Sequence, residues 1–339
     1  MKAIRLEEPG RFAPLEMRAD GGIAPDQARV RVHRIGVCGT DIHAFNGRQP
    51  FFSYPRILGH ELGVEVLEVG CEVTNVKPGD HCAVEPYLNC ENCIACRHAK
   101  PNCCADLKVL GVHVDGGMRE IFSLPARKLH PSRVLAFDQL ALVETLGIGA
   151  HAVSRAQLEN DEFVLIVGAG PIGLATMQFS LESGAQVIVL DINEQRLQFC
   201  RERLGVIFTI NASQEQALER LNEITGGDLP TVVFDATGNR ESMMRAFEYC
   251  AQGGRLVFVG LFQGEVSFHD PDFHKRELTL LSSRNALPTD FARIIGLIEN
   301  GRIDTTPWIT HRAWLHDIPR EFPAWIRPES GVLKAMIET

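Results

Sequence analysis

The stretch "DEFVLIVGAGPIGLATMQFSLESGAQVIVLDIN", residues 161–193, narrows the fold more than any other part of the chain. It reads as an apolar strand, a glycine-rich turn, a helical segment and a second apolar strand that ends in Asp191. A unit of this kind lays two parallel strands side by side with a helix across one face. Further apolar runs at 206–210, 231–238, 255–260 and 278–283 alternate with helix-like segments such as "SMMRAFEYCAQ". The six strands counted this way are the number in a complete doubly wound nucleotide-binding sheet.

The turn itself is Gly168-Ala169-Gly170-Pro171-Ile172-Gly173, a match to G-x-G-x-x-G between a strand and a helix. Each glycine answers a physical demand. Gly168 permits the tight turn, Gly170 lets backbone approach a pyrophosphate at the positive end of the helix, and Gly173 lets helix and strand pack closely. Asp191 closes the second strand eighteen residues after the last glycine, where it would accept hydrogen bonds from ribose hydroxyls and repel a 2'-phosphate. NAD is therefore expected over NADP, although Arg196, five residues on, offers a phosphate some compensation. Val259, Arg284 and Asn285 follow later strands, at carboxyl ends where open α/β sheets bind ligands, and are expected beside the cofactor. Arg284 is also placed to contact substrate hydroxyls or a carboxylate.

Before this region the pattern differs. Residues 1 to about 80 carry short alternating runs such as "ARVRVHRIGV" and "GVEVLEVG", broken by Gly, Pro and Asp as in a small all-β domain, and a barrel is expected there. A length of 339 residues accommodates two domains. No run approaches the eighteen or so apolar residues that cross a bilayer, and "MKAIRLEEPG" lacks the apolar stretch of a secretory signal, so a cytoplasmic, non-membrane protein is expected. The formal charge of -9, with no compensating basic cluster, argues against nucleic acid as a partner.

Residues 90–104, "CENCIACRHAKPNCC", hold five of the ten cysteines. In a reducing compartment such density points to metal rather than disulfides. Cys90, Cys93, Cys96 and Cys104 are spaced to surround one tetrahedral Zn2+ and leave no position open for chemistry, which makes the site a structural staple. Spacing alone does not separate Cys104 from Cys103, and cysteine quartets also hold iron–sulfur clusters; zinc is the expectation.

A second set of candidate ligands lies in "GVCGTDIH" (36–43 is its span), "LGHE" (58–61) and "LVETLGIGAHAV" (142–153). The order C-G-T-D-x-H, G-H-E, four-cysteine lobe and G-x-G-x-x-G resembles the zinc-dependent medium-chain dehydrogenases over essentially the whole chain. That resemblance implies a GroES-like β-barrel catalytic domain at 1–152 with a zinc lobe near 88–105. It implies a six-stranded Rossmann domain at 153–288 and a return to the catalytic domain at 289–339. Cys38 and His60 match the first two ligands of a catalytic zinc. Glu144 is similar to the third ligand in the sorbitol dehydrogenase branch, with Thr145 standing where that branch usually has proline, and Glu61 is similar to a residue that completes the shell or swings in during exchange. Thr40 and His43 resemble the family's proton relay. Two zincs per chain, one catalytic and one structural, and a homodimer or homotetramer follow by the same resemblance.

Bound zinc acts as a Lewis acid on an alcohol oxygen, and a nicotinamide accepts the hydride. The expected function is an NAD- and zinc-dependent oxidoreductase that interconverts a secondary alcohol, on a polyol, sugar or sugar acid, and its ketone. An L-threonine 3-dehydrogenase-like enzyme is the alternative within the family. A non-catalytic nucleotide-binding or structural relative is the alternative outside it.

Overall fold

The computed structural model describes residues 1–17 and 21–339. The chain divides into two compact units, Met1–Thr145 with Ala286–Thr339, and Leu146–Asn285. Both joints fall a few residues before the sequence-based positions of 152/153 and 288/289. A continuous helix crosses the first joint, so no turn or change of composition marks it.

The first unit begins with the hairpin β1 (Lys2–Glu8) and β2 (Arg11–Glu16), then β3 (Gln27–Gly36), helix α1 (Gly39–Phe45), β4 (Glu61–Val69) and β5 (His81–Val84). A small ladder of β6 (Tyr87–Leu88) and β7 (Lys108–Val109) brackets a lobe that contains α2 (Ile94–Arg97). Strands β8 (Ile121–Pro125) and β9 (Leu129–Ser132) follow, then the long helix α3 (Phe137–Ala156). In β3 the alternation predicted from "QARVRV" is realised: Ala28, Val30 and Val32 are fully buried while the arginines between them reach solvent-side acids on β4. Phe12, Phe45 and Phe322 meet with ring centroids 5.1–5.4 Å apart at the base of this core. Burial of each ring contributes about 1.5–3 kcal/mol.

The second unit runs β10 (Phe163–Val167), α4 (Pro171–Glu182), β11 (Gln186–Asp191), α5 (Glu194–Leu204), β12 (Phe208–Asn211), α6 (Ala217–Thr225), β13 (Val232–Asp235), α7 (Arg240–Arg245), β14 (Arg255–Phe258), α8 (Asp270–Lys275) and β15 (Thr279–Ser282). Its six strands lie in the order β12-β11-β10-β13-β14-β15, all parallel. The order reverses beside β10, and that switch point is where such sheets bind ligands.

The chain then returns through α9 (Pro288–Glu299), β16 (Ile309–Trp314), α10 (Ile318–Trp325) and β17 (Lys334–Glu338). Strand β17 pairs antiparallel with β3, setting Met336 opposite Gly36, while Gly36 on its other side faces Glu61 of β4. This register brings the last strand of the chain alongside the residues singled out near its start. The fold is a GroES-like antiparallel β unit together with a Rossmann sheet.

Candidate active site

Cys38 immediately precedes helix α1; its backbone N–H donates to the Asp41 carboxylate at 2.9 Å, and this contact fixes the cysteine at the mouth of the first turn. His60 and Glu61 follow Gly59, which has φ +94 and would set a Cβ 2.9 Å from Ile35, so only glycine turns the chain here. The outcome is a cluster in which ligand atoms of Cys38, His60 and Glu61 all lie within 4.8 Å of one another. Glu144, from α3, stands beside this trio: its Oε1 accepts a 2.5 Å hydrogen bond from the Tyr87 hydroxyl, and its charge acts on His60.

Charge decides what such a place can hold. Asp41, Glu61 and Glu144 are three buried carboxylates, and Lys334, itself 2% exposed, is the lysine among them, with its Nζ 2.5 Å from Glu61. Burial pushes the Asp41 and Glu144 carboxyls upward. Burial would also lower the His60 imidazole, but the charges of Cys38, Asp41 and Glu144 outweigh it and hold it well above its ordinary value. Asp41 Oδ1 and His60 Nδ1 lie 3.8 Å apart, both buried and without hydrogen-bond partners. Sulfur, imidazole and carboxylate around an excess of buried negative charge are the donor set of a divalent transition metal, and zinc fits it.

The lobe fits a second metal. Cys90, Cys93, Cys96 and Cys104 bring their sulfurs within 4.8 Å of one another, and Cys103 lies apart and exposed. Backbone N–H groups of Ala105 and Cys96 favour thiolate at Cys93, lowering it to about 6, while burial raises Cys104 to about 11. The Cys90 N–H also donates to Cys104 Sγ at 3.2 Å. Four thiols with amide donors aimed at them suit a closed tetrahedral zinc.

In the second unit, Gly168 has φ +99, and a Cβ on Gly173 would lie 1.8 Å from the Gly168 oxygen. Gly170 and Pro171 open α4, with Ile172 in its first turn, and nothing lies nearer than 3.8 Å to a Cβ on Gly170 except the Arg196 guanidinium at that distance. The positive end of the helix is thus open to an anion. Asp191 is pinned by N–H donors from Ala169 at 2.6 Å and Asn193 at 2.8 Å. Val259 follows β14 half-buried, its N–H on the Asp235 carbonyl. Arg284 is exposed, and Asn285 takes φ 56 with its amide nitrogen buried and without a partner. Thr40 and His43 sit on α1, Thr40 half-buried and His43 exposed.

Sequence reasoning missed Asp41, Tyr87 and Lys334. The lone lysine in the apolar run "GVLKAMIE" was a signal that something anionic awaits it. Tyr87 carried no comparable sign.

Known proteins share this sequence and fold. Residues 24–134 match the alcohol dehydrogenase GroES-like domain and residues 171–300 the zinc-binding dehydrogenase domain. L-galactonate-5-dehydrogenase of Escherichia coli K12 is 43% identical over 85% of this chain and 84% of its own. An alcohol dehydrogenase (rspB) of Escherichia coli CFT073, solved in complex with NADH, superposes with a TM-score of 0.93 at 29% identity over 100% of this chain and 99% of that one. A zinc-binding dehydrogenase of Sinorhizobium meliloti bound to NADP gives 0.92 at 28%, over 100% and 99%. The chain belongs to the zinc-dependent medium-chain dehydrogenases, in the polyol dehydrogenase-like branch. It is an oxidoreductase that uses zinc and a nicotinamide cofactor.

Proposed function

We propose that this enzyme interconverts a secondary alcohol of a sugar acid and the corresponding ketone, with NAD preferred over NADP and two zincs in each chain. The observation that carries this reading is the buried gathering of Cys38, His60 and Glu61, with Glu144 beside it, where three buried carboxylates face the single lysine Lys334. Similarity to an L-galactonate dehydrogenase supports an aldonate substrate. Cys38, His60, Glu61 and Glu144 form the surroundings of the catalytic metal, and Cys90, Cys93, Cys96 and Cys104 hold the structural one. When bound, the zinc polarises the alcohol oxygen and the nicotinamide takes the hydride.

The remaining work falls to side chains. Thr40 Oγ1, on the first turn of α1, would accept the substrate's hydroxyl proton as it donates its own onward through the cofactor ribose, and exposed His43, in the last turn, would pick up that proton and release it to water. The amides at the start of α4 hold the pyrophosphate, Gly168, Gly170 and Gly173 keep that approach open, and Asp191 orients the ribose. Pro171 and Ile172 shape the first turn of that helix, and Val259, Arg284 and Asn285 line the nicotinamide side. The domains are proposed as catalytic, cofactor-binding and catalytic again along the chain, and the enzyme as a cytoplasmic homodimer or homotetramer.

Metal analysis of the wild type and Cys38→Ser, with NAD and NADP reduction over polyols, sugars, aldonates and L-threonine, tests this reading. Two zincs falling to one, loss of turnover in the variant and fastest NAD reduction on an aldonate are expected. One zinc in both proteins removes the catalytic site, and fastest turnover of threonine reassigns the substrate. Full zinc and bound NAD with no turnover leaves a binding protein.

A further inference from the structure

Among the buried polar groups near the trio, Tyr87 is one for which neither the relay nor the ligand set has a use. Its side chain is almost fully buried, 2% exposed, and its ring meets Phe291 edge-on at 6.4 Å. Packing alone would be served by phenylalanine. The hydroxyl is instead aimed at Glu144 Oε1, at 2.5 Å.

The surroundings explain why that proton goes to Glu144. Glu85, two residues back, is also buried, but it is already engaged by Lys128 through an ion pair and by His130, whose Nε2 lies 3.3 Å from Glu85 Oε2. With Glu85 satisfied, Glu144 is the acceptor left for the phenol. The two acids beside the metal ligands are therefore held in different ways. Lys334 is a cation and cancels much of the charge of Glu61. A phenol is neutral, so it fixes the direction of Glu144 and leaves the full negative charge available to a cation. The backbone of Tyr87 is itself anchored, because it pairs with Val109 in the ladder that closes the four-cysteine lobe. A rigid element thus delivers the hydroxyl.

We propose that Tyr87 is a positioning residue for the catalytic metal site, acting through a single hydrogen bond that orients the Glu144 carboxylate toward the metal. The role rests on the reading that Cys38 and His60 hold that metal. Partners of this kind, one step removed from the metal, typically change metal affinity or activity about 10–100-fold when lost.

The test uses the full-length protein as wild type, Tyr87→Phe, Phe291→Leu and Cys38→Ser, loaded with Zn2+ or Co2+. Competition with a chelator reads the affinity of each site, and the visible absorption of Co2+ reads the ligand arrangement. In Tyr87→Phe the site lost in Cys38→Ser should bind metal about 10–100-fold more weakly, with an altered Co2+ spectrum and an unchanged four-cysteine site. Phe291→Leu disturbs the packing and leaves the hydroxyl in place, so it should keep the wild-type spectrum. Affinity within twofold of wild type together with a superimposable spectrum in Tyr87→Phe overturns the proposal. The same change in Phe291→Leu overturns it too, since packing would then be the cause. A wild type that binds only one metal, retained in Cys38→Ser, removes the catalytic site and the role of Tyr87 with it.

Discussion

Glu61 can occupy its place only because Gly36 has no side chain. A Cβ on Gly36 would stand 2.0 Å from Glu61 Oε2 and 3.0 Å from Glu61 Cβ, far inside contact distance. The two residues are direct partners across β3 and β4, so neither backbone can step aside without breaking the ladder. Gly36→Ala should expel the carboxylate from its pair with Lys334, at a cost of about 1–3 kcal/mol from overpacking. It should also reduce occupancy of the metal site at Cys38 and His60. Urea unfolding and metal analysis check this, and a variant with full metal and wild-type stability would refute it. Little of this was legible beforehand. Cys38 and His60 stand out in a motif and the lone Lys334 hints at an anion, but Gly36, and the choice of Glu61 as that anion, acquire meaning only when β17 lies against β3 and β3 against β4. For the same reason Cys104 and Cys103 are equivalent by spacing, and the fold of the lobe separates them by pointing one sulfur inward and the other to solvent.

Helix α3 shows how an element is held so that a residue on it is useful. Its first turn carries Asp138, which receives Arg34 Nε from β3 at 2.8 Å and Arg312 Nη2 from β16 at 2.5 Å, and Arg312 also reaches Glu338 of β17 at 3.2 Å. The carbonyl of Phe137 crowds the space where Gly63 would carry a Cβ, at 2.3 Å, so the helix start is pressed onto β4. Glu144 comes two turns later. Burial alone would raise the Asp138 carboxyl, but the hydrogen bond and charge of Arg312, with the charge of Arg34, hold it below its ordinary value. A carboxyl depressed in the folded state stabilises fully above its unfolded value and loses that contribution as pH falls through the folded value. Asp138→Asn should therefore cost roughly 1–2 kcal/mol at pH 7, a figure kept low because Arg312 is partly exposed. The gap from wild type should close as pH falls below about 4. Urea midpoints from pH 7 to 3 measure it, and a gap constant over that range would exclude the mechanism. The helix itself is only partly visible in the sequence: "LVETLGIGAHAV" is apolar nearly all round and carries two glycines, which disfavour helix. Gly149 is in fact a packing site, where a Cβ would lie 2.4 Å from the Ala175 backbone of α4.

At the scale of the molecule, each ligand addresses its own part of the chain. NAD added to the enzyme should give the largest gain in amide-exchange protection at 168–173 and 191–196. Removal of zinc by chelation should give the largest loss at 36–41, 58–61 and 90–104. Saturation at 100 times Kd should also raise the stability of the cofactor-binding unit by about 2.7 kcal/mol. Protection changes confined to other segments would contradict the placement of both sites. The two classes of site differ in how openly they are written. The glycine turn, the strand that ends in Asp191 and the cysteine quartet are local patterns, because a tight turn, a helix N-terminus and a metal lobe each close within about thirty residues. The sequence by itself therefore determined the six-stranded parallel sheet, the glycine turn and the gathering of the four cysteines. Contacts between residues far apart in the chain were decided only by the tertiary structure: Lys334 on Glu61, Tyr87 on Glu144, Arg312 on Asp138. Each joins side chains whose partner is chosen by strand register and buried charge, and neither quantity exists until the chain has folded.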